Sequence, residues 1–213
     1  SLNSAGDQVY LYSATRDGEL TGYSDGFSFG AASSGMTFGR FTNSVGEVHF
    51  TPQRQPTLGS ENVGPRIGPV VINEIHYWPP PGGIEFIELK NITAQTIKLY
   101  DPQFPTNTWR ISGIGYSFPT NTEIAPHGLL VITATDPDAF RSGSPVPANV
   151  PVLGPYTGVL QDNGEMIELQ CPDEPNLADD GTLVVPYVTV DAVRYNDKAP
   201  WPADAAGTGS SLE

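Results

Sequence analysis

Apolar and polar positions alternate with a period of two along most of the chain, and turn residues interrupt the alternation at short intervals. Val9-Tyr10-Leu11-Tyr12 follows Gly6-Asp7, with Asp17-Gly18 and Asp25-Gly26 as candidate turns. Val70 to Ile75 is a β-branched run that ends at Trp78-Pro79-Pro80-Pro81-Gly82-Gly83. Ile84 to Lys90 returns as a second strand, with Phe86, Glu88 and Lys90 on one face and Glu85, Ile87 and Leu89 on the other. Further strands read at Thr96 to Tyr100, Thr108 to Ile111, Gly115 to Phe118, Leu129 to Thr133 and Thr189 to Tyr195. Val159-Leu160-Gln161 and Glu165 to Gln170 flank Asp162-Asn163-Gly164, which predicts a hairpin, because Asn-Gly tolerates positive φ. One short helix is expected, capped by Asp136 with Pro137 at its first position and running through Phe140 to Arg141. Many short strands with almost no helix predict an all-β sandwich or barrel.

Composition agrees. Glycine (23) and proline (21) make about a fifth of the chain, while 38% of residues are hydrophobic, enough for a packed core. Between Thr51 and Pro69 four prolines and three glycines break every pattern, so residues 51–68 read as an extended linker. The net charge of −14 repels phosphates and anionic lipid, which argues against nucleic acid or a membrane surface as partner and permits calcium or basic ones. Cys171 is the single cysteine, so no disulfide forms within the chain. No apolar run is long enough to span a bilayer, and membrane insertion is not expected. The chain starts at Ser1 in mid-pattern, which reads as a piece of a longer protein.

The first 40 residues echo the last 50. Gly6-Asp7-Gln8-Val9-Tyr10-Leu11 resembles Gly164-Glu165-Met166-Ile167-Glu168-Leu169, Asp25 to Phe29 sits as Asp191 to Tyr195 does, and Gly35 to Phe38 parallels Gly209 to Leu212. The offsets, 158 (Gly6 to Gly164), 166 (Asp25 to Asp191) and 174 (Gly35 to Gly209), grow as they would if the second copy carried longer loops. The expected organisation is therefore residues 1–50 as the C-terminal fragment of one repeat, the linker 51–68, and a domain over 69–213. Strands cut off from their partners invite pairing with another edge, so a homo-oligomer through the N-terminal strands is an expected partnership.

Ile72-Asn73-Glu74-Ile75, followed by Glu85-Phe86-Ile87-Glu88-Leu89-Lys90-Asn91, resembles the opening strands of the lamin tail domain. Trp109-Arg110-Ile111, Ile124-Ala125-Pro126-His127-Gly128, the Asn163-Gly164-Glu165 turn, Val190 to Tyr195 and Gly209 to Glu213 then follow in that family's order. The resemblance covers about Pro69 to Glu213 and implies an immunoglobulin-like β-sandwich. It also implies a bacterial setting, in large secreted or cell-surface proteins beside hydrolases, nucleases or adhesion modules. The stretch Pro172 to Val188 is longer than the family's usual turn, and no coiled-coil rod precedes the domain.

No strong catalytic motif is present. His49, His76 and His127 are scattered, and neither a serine-hydrolase elbow nor a phosphate-cradling loop occurs. Glu74 and Glu88 could meet across adjacent strands as a glycosidase pair would, but the same placement suits a structural pair with Asn73 or Lys90. The acidic loop Asp173 to Gly181 offers oxygen ligands for calcium without the regular spacing of a calcium-binding loop. Trp78 and Trp201, flanked by prolines, could stack on sugars or seal the end of a sandwich. No catalytic, cofactor-binding or metal-ligating residue is assigned and no cofactor is expected. The leading function is a non-catalytic structural or protein-interaction module serving other domains of its parent or other proteins. The alternative is a carbohydrate or surface-ligand binding module accessory to a hydrolase.

Overall fold

A computed structural model describes residues 2–177 and 180–213. In chain order the strands are β1 (Asp7–Ala14), β2 (Leu20–Phe29), β3 (Phe38–Thr42), β4 (Val48–Pro52), β5 (Val70–His76), β6 (Phe86–Asn91), β7 (Ile97–Lys98), β8 (Arg110–Ser112), β9 (Tyr116–Ser117), β10 (Glu123–Ile124) and β11 (Leu129–Thr133). The helix α1 (Pro137–Gly143) comes next, followed by β12 (Val152–Leu153), β13 (Met166–Pro172), β14 (Asn176–Leu177), β15 (Leu183–Val184) and β16 (Tyr187–Arg194). The chain divides into two compact units, Ser1–Ile67 with Asp173–Val188, and Gly68–Pro172 with Thr189–Glu213.

In the larger unit one four-stranded sheet has the order β12-β11-β6-β5 and the other β16-β13-β8-β9. Alternation in β6 decides which side faces inward: Ile87 and Leu89 are fully buried, and Phe86, Glu88 and Lys90 turn outward. Ile132 from β11 and Ile167 and Leu169 from β13 join Ile87 and Leu89 in one core that draws on both sheets. Each such side chain removed from water stabilises the fold by roughly 1.5–3 kcal/mol. This is an immunoglobulin-like, all-β sandwich. The helix forms where its cap residue predicts, with Asp136 Oδ1 accepting the N–H groups of Asp138 (3.1 Å) and Ala139 (3.0 Å).

Three local expectations are corrected. Asp25-Gly26 is not a turn but lies inside β2, where Tyr10 crosses Gly26 so closely that a Cβ there would sit 2.3 Å from the Tyr10 ring. The Asp162-Asn163-Gly164 turn forms, with Gly164 N–H donating to Gln161 O (3.0 Å), yet 159–161 is not a strand. Leu160 N–H is taken instead by the Glu85 carboxylate (3.0 Å), and β13 lies between β8 and β16. The stretch 51–68 begins in β4 and folds back rather than extending. Buried Gln53 pins it, donating to Gly39 O (3.1 Å) and accepting Gly64 N–H (3.1 Å).

The smaller unit contains the hairpins β1–β2 and β3–β4, both antiparallel. Asp17-Gly18 does turn the first, with Gly18 N–H donating to Thr15 O (3.0 Å). Among the described residues no helix is long and apolar enough to cross a membrane.

Candidate functional site

A register shift between Ile72 and Glu74 in β5 sets Glu74 directly opposite Glu88 in β6. Asn73 Nδ2 donates to Glu88 Oε1 (2.8 Å), and the Ser211 hydroxyl hydrogen-bonds to Glu74. Burial pushes the Glu88 carboxyl above its ordinary range. The Asn73 hydrogen bond opposes that rise, and the charge of Glu74 adds to it. His76 lies beside Phe86, ring centroids 5.2 Å apart, and both its ring nitrogens are buried with no hydrogen-bond partner among the described residues. Glu74, Glu88, His76 and Phe86, with Phe140 and Val150, edge a cleft of about 440 Å³ whose apolar side is the outer face of the sheet. Both carboxylates are therefore tied to donors of the fold, as the structural reading of the pair anticipates, and neither hydrogen-bonds to His76.

Two other carboxylates hold loops to the sandwich. Glu85 Oε2 accepts from Tyr156 OH (2.9 Å) as well as from Leu160 N–H, while Glu165 Oε1 accepts from Tyr195 OH (3.1 Å) and Gln161 N–H (2.8 Å). Burial, reinforced by these adjacent charges, pushes both tyrosine hydroxyls far above their ordinary value. Of the proline-flanked tryptophans, Trp201 packs partly buried against the core, and Trp78 is 37% exposed beside Gly207.

In the acidic loop Asp179 and Ala178 lie outside the described residues. Asp180 accepts the N–H of Thr182 (2.9 Å), which holds its carboxyl below the ordinary range. Among the described residues no three His, Cys, Asp or Glu side chains come together in a way that could hold a metal.

The smaller unit carries the most exposed apolar surface. On β1–β2 the pairs Val9–Phe27 and Leu11–Asp25 share one face with Phe29, and this face lines a groove of about 690 Å³ together with Phe38 and Phe50. Phe27 stacks on Phe50 (4.3 Å) and lies under the Arg40 guanidinium (4.4 Å), which also pairs with Asp25. Even so, Val9 remains 50% and Leu11 71% exposed. Exposed apolar surface gathered in this way marks an interaction site more often than single exposed residues do.

A family model described as the lamin tail domain matches residues 65–192, more than half of the chain. The chain belongs to the lamin tail domain family. No curated relative matches it. The lamin tail fold is an immunoglobulin-like module, in keeping with a role that needs no catalysis. In this lamin tail chain the sequence offered Glu74 and Glu88 as neighbours on adjacent strands with Asn73 or Lys90 as partner, and the structure pairs the two carboxylates and gives the hydrogen bond to Asn73. The sequence did not foresee the aromatic groove, although the alternation Phe27-Ser28-Phe29 and the isolated Phe38 and Phe50 were its visible signal.

Proposed function

We propose that this lamin tail chain is a non-catalytic structural and protein-interaction module of a larger secreted or cell-surface bacterial protein. Its partners are other domains of the parent or other proteins, docked through the open face of β1–β2. The observation that carries the reading is the exposure of Val9 and Leu11 on a face shared with Phe27 and Phe29. The strongly acidic surface supports protein rather than nucleic-acid partners. Deprived of a partner, such a face favours self-association of the purified chain. Light scattering at rising concentration tests this: the wild type self-associates reversibly, and Leu11→Asp abolishes it without changing the circular dichroism. A wild type that stays monomeric and matches Leu11→Asp in every respect sinks the proposal.

A further inference from the structure

We infer that β1–β2 is the second-half hairpin of another lamin tail fold, and that its partner is a first-half sheet of the same kind, patterned like β5, β6 and β11. This rests on the docking role proposed above and names the partner.

The backbone carries the argument. Gly6 and Gly164, 158 residues apart, both have positive φ (119° and 97°). Gly6 N–H donates to Asn3 O (3.1 Å) and Gly164 N–H to Gln161 O (3.0 Å), and these two acceptors are again 158 apart. A Cβ on Gly6 would approach Phe29 O at 3.0 Å, and one on Gly164 would approach Tyr195 O at 2.4 Å. Phe29 and Tyr195 are 166 apart, the offset of the second matching segment. Asp7 is the register partner of Phe29, and Tyr195 N–H donates to Glu165 O (3.1 Å), so both hairpins share one register. Strands resemble one another in residue type by chance, but a left-handed glycine seated on a particular carbonyl is a specific local structure.

What differs is the cover. Ile167 and Leu169 are 0% exposed, in one core with Ile87, Leu89 and Ile132, whereas their counterparts Val9 and Leu11 are open. Asp191 Oδ2 accepts the N–H of Ile72 in β5 (2.8 Å), and its counterpart Asp25 holds Arg40 instead. The open face thus retains both the apolar rows and the carboxylate that anchors a first strand. A second copy of the face would match the apolar rows but bring no free strand N–H to Asp25, so a first-half sheet displaces it.

The repeat offset fixes the test. Ser1 is the counterpart of Val159, so residues 68–158 are fused directly ahead of Ser1 in the full chain. Hydrogen exchange of the β1 amides and solution mass are then measured. The inferred sheet slows β1 exchange by at least about tenfold and gives a monomer, and Leu11→Asp in the fusion restores rapid exchange. Unchanged β1 exchange, or protection that survives Leu11→Asp, overturns the inference. If the unfused wild type self-associates and Leu11→Asp prevents it, yet the fusion leaves β1 open, the partner assignment alone fails. If the wild type neither self-associates nor responds to Leu11→Asp, the docking reading itself fails.

Discussion

Glu74 and Glu88 stand directly opposite each other on β5 and β6, held by the amide of Asn73 and the hydroxyl of Ser211. Burial raises the Glu88 carboxyl above its ordinary range, and the like charge of Glu74 placed opposite adds to the rise. A carboxyl whose folded-state pKa exceeds its unfolded one favours folding while protonated. That contribution is complete below the unfolded pKa and is lost as pH rises through the folded one. Asp191, raised chiefly by burial, adds in the same direction.

Glu88→Gln keeps an acceptor for Asn73 and removes the repulsion. It is expected to stabilise the chain by roughly 0.2–1 kcal/mol at neutral pH. The gain disappears in acid, where the wild-type carboxyl is already protonated. Urea denaturation at pH values on either side of the carboxylate range measures this, and a gain that persists unchanged in acid contradicts it.

Asn91 is fully buried, and its Nδ2 donates to Gln95 O (2.7 Å), Ala125 O (2.9 Å) and Ile124 O (3.1 Å) while its Oδ1 accepts Thr93 N–H (2.9 Å). Asn91→Ala takes the amide donor from the three carbonyls, of which Ala125 O keeps the Gly128 N–H, and the acceptor from the Thr93 N–H. The expected loss is about 3 kcal/mol or more, since each buried unsatisfied group costs roughly 1–3 kcal/mol. A denaturant midpoint near that of the wild type would show that water replaces the side chain.

Gly164→Ala places a Cβ 2.4 Å from Tyr195 O at a φ of 97°, so strain and a backbone clash coincide. Gly143, at the end of α1, has open space around it, and Gly143→Ala is expected to be neutral or to stabilise by about 0.4–1 kcal/mol. Thermal melts of the two variants should move in opposite directions, or Gly164→Ala alone should fall.

Leu11 and Leu169 occupy matching positions in their strands but differ in cover. Leu169→Ala should cost about 2–5 kcal/mol, as truncations in a packed core do. Leu11→Ala should change the stability of the isolated chain by about 0.5 kcal/mol or less. Equal losses at the two positions would mean that Leu11 is packed in solution.

By itself the sequence determined several of the strands, among them β5, β6, β11 and β13, and in β6 the side that is buried. The period-two alternation of β6 and the cap at Asp136 act over a few residues, so their physics is readable locally. It likewise carried the lamin tail pattern. Only the tertiary structure decided what pairs with what. Asp25-Gly26 has the composition of a turn, but the overlying Tyr10 makes it strand, and the prolines of 51–68 suggest a linker that the buried Gln53 folds back. The same holds for function: Val9-Tyr10-Leu11 and Ile167-Glu168-Leu169 read alike along the chain. One pair is core and the other is surface, because burial depends on which distant strands cover a face, and alternation carries no record of that.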